Sequence, residues 1–146
     1  MNNNMEIKID ARLENVSTIR LAITTFASNL NITVDEIVDI KTAVSEAVTN
    51  AIEHGYDNKE GNIIIAKCNL NIEDESIEIV TKDFGVGIED IELAMKPEYT
   101  SKPEEEHAGM GFTIMESFMD EIVVDSTKNE GTEVKLYKKL KRKSSN

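Results

Sequence analysis

Apolar residues in the first third of the chain recur every three or four positions, which predicts two helices. The first spans residues 15–30, with Asn15 or Ser17 where a helix cap is expected. The second spans residues 33–54, and Gly55 directly after it is placed to end that helix. Together the two segments predict a layer of packed helices.

Alternation of apolar and polar residues predicts five strands, several of them rich in Ile and Val. They cover residues 6–9, 62–70, 76–82, 121–125 and 132–140. Short turns join the strands within each adjacent pair, which favours antiparallel pairing. With the long helices kept apart from the strands, the pattern predicts an α/β two-layer sandwich: a mixed, mostly antiparallel sheet covered on one face by helices.

Between the third and fourth strands the pattern predicts two shorter helices, at residues 89–95 and 109–120. Residues 96–108 separate them and hold both prolines of the chain together with three successive glutamates. This composition predicts a loop. A lid that orders over a ligand and a plain mobile loop are the two interpretations of it.

Length and charge narrow the class of protein. A chain of 146 residues can bury one hydrophobic core, and we expect a single domain at 1–138 followed by a basic tail at 139–146. The net charge is −12, so the acidic body argues against direct nucleic-acid binding. The sequence contains no apolar run that could span a membrane and no signal segment, which predicts a cytoplasmic protein.

The polar side of the second helix carries Glu46, Asn50 and Glu53. At 100° per residue the three positions fall within about 60° of one another, opposite the apolar stripe. A carboxylate and an amide oxygen one turn apart suit a general base beside a ligand for Mg²⁺, which prefers oxygen ligands. A solvated polar face is the alternative interpretation of the same spacing.

Two pairs of glycines indicate close approach of the backbone to a ligand. Gly85 and Gly87 follow Asp83 at the end of a strand, where a carboxylate can accept a hydrogen bond from the exocyclic amine of adenine. Gly109 and Gly111 open a helix, and backbone N–H groups at a helix N-terminus form a phosphate site. Neither pair matches the phosphate loop or the dinucleotide fingerprint, so neither of those folds is indicated.

Four motifs in this order resemble the nucleotide-binding motifs of the Bergerat-type ATP-binding fold, which gyrase, histidine kinases and mismatch-repair ATPases share. They are EAVTNAIEHGY at 46–56, DFGVGI at 83–88, GMGF at 109–112 and GT at 131–132. The stretches SEAVTNAIEHGY, TSKPE and GMGFTIMESFMD resemble most strongly the anti-sigma F factors of spore-forming bacteria, a family of small serine-protein kinases. The resemblance runs from about residue 5 to residue 138, nearly the whole chain.

The resemblance implies an ATP-dependent protein serine kinase that acts with Mg²⁺, forms a homodimer and regulates transcription in sporulation. It implies that the protein binds and inhibits sigma factor F, and that it phosphorylates and inactivates an anti-anti-sigma antagonist. Two alternatives stay open. One is the related kinase and anti-sigma factor of another sigma factor, such as a general-stress one. The other is an ATP-bound anti-sigma module without kinase activity.

Roles for residues on the two long helices follow from the same resemblance. Glu46 corresponds to the catalytic base that takes the serine proton, and Asn50 corresponds to the Mg²⁺ ligand. Arg20 on the first helix corresponds to a contact residue for both protein partners.

Four more residues correspond to the part of the site that holds the nucleobase. Asp83 resembles the acid that reads adenine, and Thr132 resembles the residue that supports it. Gly85 and Gly87 lie in the same motif, with Gly87 beside the base. The resemblance thus implies that these residues bind ATP.

The remaining implied residues face the phosphates. Gly109, Met110 and Gly111 resemble the phosphate-facing turn, and Lys102 lies in the lid. His107 departs from the family, which usually has Arg at this position near the terminal phosphate. A histidine is only partly charged near neutral pH, so phosphate stabilisation there is either weaker or supplied by Lys102.

Overall fold

A computed structural model describes residues 2–96 and 111–141 of the chain. These residues form a sheet of five strands and a layer of helices. In chain order the elements are β1 Asn2–Asp10, α1 Val16–Ala27, α2 Val34–Asn50, β2 Ile63–Asn71, β3 Ser76–Asp83, α3 Ile91–Ala94, α4 Gly111–Phe118, β4 Glu121–Thr127 and β5 Gly131–Lys139. All five predicted strands and both long helices are therefore confirmed.

The sheet has the strand order β1-β2-β3-β5-β4, and every pair of neighbours is antiparallel. The sequence predicted a mixed sheet, but the described residues contain no parallel pair. The reason is the helical hairpin between β1 and β2: two successive helices return the chain to the end where β1 finishes, so β2 runs back along it. Short turns join β2 to β3 and β4 to β5, while β3 and β4 run in the same direction but are separated in the sheet by β5.

One face of the sheet packs against the helices and forms the core. Ile64, Ala66, Cys68 and Leu70 of β2 alternate onto that face and are fully buried. Their partners from the helices are apolar and equally buried: Ile19 and Ile23 of α1, Ile40, Val44 and Val48 of α2, and Met115 of α4. Burial raises the pKa of the Cys68 thiol to about 12, so this cysteine packs in the core as a neutral thiol.

Helix α2 begins with a capping box, a local signal that the sequence carries in full. The Thr33 hydroxyl accepts a hydrogen bond from the Glu36 N–H at 3.1 Å, and the Glu36 carboxylate accepts one from the Thr33 N–H at 3.0 Å. The buried side of α2 includes Ala43 and Ala47 beside the larger apolar residues, whereas Ile37 is only half-buried. The small alanines let α2 lie close to its neighbours.

The ends of the helices differ from the predictions in three places. Asn15 precedes α1, but its side chain donates to the carbonyl oxygen of Asp10 instead of capping the helix. Helix α2 ends at Asn50 and continues as a wider π-helical turn, Ala51–Gly55. Helix α3 has only four residues, and it begins at Ile91 because the Asp90 side chain accepts from the Leu93 N–H and caps it there. None of the helices in the described part of the chain is long and apolar enough to cross a bilayer.

The predicted tail at 139–146 begins too early. Lys139 is the last residue of β5, and Leu140 after it is 3% exposed and packs in the core. The N–H of Lys141 donates to the buried carboxylate of Glu36 at 2.9 Å. Burial alone would raise the pKa of Glu36, but the hydrogen bonds from Thr33 and Lys141 outweigh it and lower the pKa. The folded domain thus reaches residue 141, and 142–146 lie outside the described residues.

Candidate functional site

Asp83 lies where β3 ends, and residues from three other segments meet its carboxylate. We call Asp83 together with Gly55, Gly85, Gly131 and Thr132 the Asp83 cluster. Asp83 is 4% exposed and Thr132 is 9% exposed, so the two side chains lie almost entirely inside the fold. Asp83 and Thr132, which were predicted to read and support the nucleobase, are directly opposite each other where β3 pairs with β5. The pairing of the two strands therefore brings them together.

Gly55 and Gly85 give the Asp83 cluster its tight packing. A Cβ on Gly55 would lie 2.9 Å from an oxygen of Asp83, and a Cβ on Gly85 would lie 2.0 Å from the carbonyl oxygen of Gly55. The Val86 N–H donates to that same carbonyl oxygen at 2.9 Å. The turn after β3 is therefore held directly against the end of the π-helical turn, at a distance that only glycines permit.

The carboxylate of Asp83 is held by backbone donors but has lost most of its water. Burial raises its pKa, while hydrogen bonds from the N–H groups of Gly85, at 2.9 Å, and Thr132 act in the opposite direction. The net effect is a pKa above the usual range. A buried carboxylate with a raised pKa and a fixed orientation is a strong acceptor for an N–H donor on a ligand.

Gly87 belongs to the second half of the same turn. It has a φ of +73°, and a Cβ there would lie 2.2 Å from the carbonyl oxygen of Thr127. The N–H of Asn129 donates to the carbonyl oxygen of Val86 at 2.6 Å. The turn at 84–87 is thus fixed against the β4–β5 turn, and Gly87 is required for this approach.

Asn50 and Gly111 adjoin each other at the other end of the π-helical turn. A Cβ on Gly111 would lie 2.6 Å from the Nδ2 and 3.0 Å from the Oδ1 of Asn50. Asn50 is the last residue of α2, and Glu46 lies one turn earlier on the same helix, about 6 Å away. Glu46 and Asn50 are both half-buried. The predicted base, the predicted metal ligand and the start of α4 therefore lie side by side.

Arg20 is half-buried on α1 and reaches across to α2. Its Nη1 donates to the Oγ of Ser45 at 3.4 Å, and Ser45 is the residue before Glu46. Arg20 is thus placed at the helical layer beside the predicted base and outside the Asp83 cluster. Lys102, His107, Gly109 and Met110 lie outside the described residues.

Three residues of the site were missed by the sequence reasoning. Gly55 was interpreted only as a helix stop, whereas it contacts Asp83 directly. The hydroxyl of Tyr56 donates to the carbonyl oxygen of Ile63 at 2.6 Å and accepts from the Phe84 N–H at 2.7 Å, which links β2 to the turn after β3. Ser126 contacts the side chain of Thr132 at 2.7 Å. Of these three residues, Gly55 and Tyr56 could have been found from the sequence, because they end the motif at 46–56 that resembles the family. No sequence feature pointed to Ser126.

In chemical terms, the site combines a buried carboxylate acceptor, Asp83, with the polar C-terminal end of α2. Among the described residues there is no group of three His, Cys, Asp or Glu side chains that could hold a metal. Mg²⁺ does not need one, because it keeps waters and substrate phosphates among its oxygen ligands. The amide oxygen of Asn50, in a cradle that a Cβ on Gly111 would fill, fits a single protein ligand of this kind.

The amino-acid sequence was also compared with the sequence profiles of known protein families. Residues 9–138 match the sequence profile of the histidine kinase-like ATPase domain. The matched range extends from the end of β1 almost to the end of β5, and so includes all described residues of the site.

Curated relatives resemble the chain along nearly its whole length. It is 52% identical over 140 residues to the anti-sigma F factor of Clostridium acetobutylicum, which is 96% of either chain. It is 50% identical over 138 residues to the anti-sigma F factor of Geobacillus stearothermophilus, with 94% of this chain and 93% of the relative covered. The anti-sigma F factor of Clostridium perfringens is 49% identical over 140 residues, 96% of this chain and 99% of the relative.

Among solved structures, a crystal structure of the RsbU and RsbW domains of a Mycobacterium tuberculosis protein aligns with a TM-score of 0.67. The alignment covers 97% of this chain and 34% of that chain, at 22% sequence identity. At this identity the likeness concerns the fold alone. Together with the domain match, it confirms the predicted ATPase fold of a sheet covered on one face by helices.

Proposed function

The chain belongs to the anti-sigma F factors of the histidine kinase-like ATPase family, and on that premise we propose two linked activities. The protein binds and inhibits sigma factor F, and as an ATP-dependent serine kinase it phosphorylates and inactivates its anti-anti-sigma antagonist. One observation carries the enzymatic half. The buried carboxylate of Asp83 packs on Gly55, and the single π-helical turn Ala51–Gly55 joins it to the end of α2, where the proposed base and the proposed metal ligand lie.

The Asp83 cluster accounts for the nucleotide. Asp83 accepts from the exocyclic amine of adenine, with Thr132 beside it on β5. Gly85 and Gly87 keep the turn after β3 close to its neighbours, so that the flat base can lie against the backbone. Gly111 then places the start of α4 toward the phosphates, where N–H groups favour negative charge. Lys102, His107, Gly109 and Met110 complete the proposed phosphate site.

Asn50 supplies the protein ligand for Mg²⁺, which when bound neutralises charge on the ATP phosphates. Its side chain lies against Gly111, so the metal ligand and the phosphate-facing turn are positioned together. A side chain at Gly111 would displace Asn50, which explains why this position is glycine.

Glu46 acts as the base in the transfer step. The serine hydroxyl of the antagonist gives its proton to the Glu46 carboxylate as its oxygen bonds to the γ-phosphorus. The bond between that phosphorus and the bridging oxygen then breaks, and ADP leaves. The i, i+4 spacing of Glu46 and Asn50 on α2 places base and metal ligand on one side of the helix.

The protein partners are proposed to bind the helical layer near the base. Arg20 on α1 reaches Ser45, directly before Glu46, so a partner that contacts Arg20 is brought next to the transfer site. Leu21 and Val38 on the same two helices are 68% and 50% exposed, which provides apolar surface for such a contact. We further propose that the protein acts in the cytoplasm, as a homodimer, during sporulation.

Phosphate transfer tests the proposal. We expect that the purified protein, with Mg²⁺ and γ-labelled ATP, labels a serine of the anti-anti-sigma protein from the same genome. Asn50→Ala removes the proposed Mg²⁺ ligand and should reduce the rate of labelling at least about 100-fold, since loss of a group that merely orients a metal ligand already costs about 10- to 100-fold. Ser28→Ala, at the exposed end of α1, is the matched control and should label at the normal rate.

Each result of this experiment has a distinct meaning. Absence of label while ATP still binds would contradict the kinase and favour an anti-sigma module that holds ATP as a structural ligand. Label on the antagonist of a different sigma factor, with none on that of sigma factor F, would identify the related general-stress type. Equal rates for the native protein and Asn50→Ala would remove Asn50 from the metal site.

The raised pKa of Asp83 predicts that a fall in pH has opposite effects on ATP affinity and on the free energy of unfolding. Its raised pKa means that the folded state holds this proton more tightly than the unfolded chain does. As the pH falls through the raised pKa, we expect ATP affinity to decrease, because the carboxylate loses its charge. The contribution of Asp83 to the free energy of unfolding should rise over the same range, because the ionised, buried form is the unfavourable one.

Asp83→Asn is the control for this pH effect. It should lower ATP affinity by about 10- to 100-fold, as expected for a hydrogen bond to a charged group, and should raise the melting temperature of the nucleotide-free protein. Calorimetric titration and thermal melts of both proteins across the acidic range measure the two trends. An identical pH dependence of ATP affinity in the native protein and in Asp83→Asn would show that another group is responsible.

A further inference from the structure

Lys138 of β5 lies at the end of α4 that is far from the proposed phosphate site, and it contacts two helices at once. Its side chain is only 12% exposed. Its Nζ donates to the carbonyl oxygen of Phe118, the last residue of α4, at 2.8 Å. The same Nζ lies 3.3 Å from a carboxylate oxygen of Asp39 on α2. The proposed site uses none of these groups, so this nearly buried ion pair needs an explanation of its own.

Helices α2 and α4 run antiparallel, and polar side chains meet at both ends of the pair. At one end, the first residue of α4, Gly111, lies against Asn50, the last residue of α2. At the other end, Lys138 connects Phe118 to Asp39, which precedes Asn50 by about three helical turns. The two contacts are about 10 Å apart along α4. Because α4 is a short, rigid helix, a shift at one end moves the other end as well.

Apolar packing alone does not fix how far α4 slides along α2. Met115 is fully buried in the shared core, but the hydrophobic effect has no direction. A hydrogen bond to the terminal carbonyl group of α4 is directional, and a cation there also complements the negative end of the helix dipole. Two other hydrogen bonds join the residue pairs Asp120–Tyr137 and Lys139–Asp120, so they hold the segment after α4 only to β5. Lys138 differs because it also reaches α2.

We propose that Lys138 is a positioning residue that sets where the Gly111 end of α4 stands against Asn50, and so prepares the phosphate site for ATP. This inference rests on the proposed ATP site. One ammonium group that contacts both Phe118 and Asp39 holds the far ends of the two helices in a fixed register. The N–H groups at the start of α4 are then already in place when ATP binds, and such preorganisation raises affinity.

Lys138→Met tests the inference, because it keeps the apolar stem of the side chain but removes the charge and the hydrogen-bond donors. If α4 then occupies its native position about a tenth of the time, ATP affinity falls about tenfold. Adenosine has no phosphates and contacts only the Asp83 part of the site, so its affinity should stay within about twofold of the native value. Calorimetric titration with ATP and Mg²⁺ and NMR titration with adenosine measure the two affinities. A general loosening of the fold would weaken both equally.

A double variant separates positioning from stability. Lys138→Met removes the ion-pair partner of Asp39, which lowers the free energy of unfolding. Lys138→Met combined with Asp39→Asn removes that charge and should recover most of the lost melting temperature. It still lacks the hydrogen bond to Phe118, so its ATP affinity should remain about tenfold below native, and it replaces the single variant if that proves too unstable. Lys135→Met, the same change on the exposed face of β5, is the matched control and should bind both ligands as the native protein does.

The outcomes separate this inference from the proposed function. A native protein that does not bind ATP would overturn both. Full ATP affinity in the variants that lack Lys138 would overturn only the role of Lys138. An equal loss of ATP and adenosine affinity would overturn it too, because the cause would be a general loosening. If the double variant recovers ATP affinity together with its melting temperature, the loss is due to the unpaired Asp39, and the positioning role is wrong.

Discussion

Glu46→Gln should reduce the rate of serine phosphorylation by about 10²- to 10⁴-fold, the range typical for loss of a general base. The substitution keeps the length of the side chain and its place one turn before Asn50 on α2. It removes the ability to take the serine proton. ATP affinity should therefore remain within about twofold of the native value, so that the loss is confined to the transfer step.

Single-turnover labelling of the anti-anti-sigma protein at saturating ATP measures this step directly. Glu78→Gln is the matched control, because it makes the same change on the face of the sheet away from the helices, where the Glu78 carboxylate accepts from the Asn69 side chain. It should transfer phosphate at the native rate. If Glu46→Gln does so as well, the proton is taken by another group and the assignment of the base is wrong.

Gly85→Ala should abolish measurable ATP binding and lower the free energy of unfolding by about 3 kcal/mol. A Cβ on Gly85 would lie 2.0 Å from the carbonyl oxygen and 2.4 Å from the carbonyl carbon of Gly55. These are backbone atoms at the end of the π-helical turn, so no rotamer change can relieve the clash. The turn must move away, which breaks the hydrogen bond from Val86 to Gly55 and shifts the Gly85 N–H that holds Asp83.

Gly61→Ala is the control that separates the effect of replacing any glycine from the effect of the clash at Gly85. Gly61 has a φ of +88°, and a Cβ there meets no atom within 4 Å, so the substitution introduces backbone strain without a clash. We expect it to lower the free energy of unfolding by about 1–2 kcal/mol and to leave ATP affinity unchanged. Denaturant unfolding and calorimetric titration compare the two variants. Native-like ATP binding by Gly85→Ala would show that the turn tolerates displacement and that Asp83 is held by other means.

The sequence predictions were accurate where the interactions join residues that are close together in the chain. The two long helices and the placement of Glu46 and Asn50 on one side of α2 depend on residues three or four apart. Periodicity encodes such neighbours directly. The resemblance then added roles for residues that periodicity alone leaves open, and Asp83 is a clear example. Its position at a strand end before two glycines made it a candidate acceptor, but its burial could not be inferred from that position.

Errors occurred where a distant segment changes the surroundings of a residue. The predicted tail began at 139 because six basic residues cluster near the C-terminus. In the structure Leu140 is buried, and Lys141 donates to Glu36, 105 positions earlier in the chain. Glu36 could be predicted as a helix-capping residue but not as a buried one, because its second partner comes from the opposite end of the sequence.

By itself, the amino-acid sequence determined the elements, the two-layer class of fold and the order of the nucleotide motifs, because each of these is written in local spacing or in short contiguous motifs. Only the tertiary structure decided that Gly55 packs on Asp83 and that Ser126 meets both Thr132 and Ile88. Those contacts depend on the antiparallel register of β3, β5 and β4 and on the π-helical end of α2. Register and strand order arise from the packing of the whole sheet, and no local period specifies them.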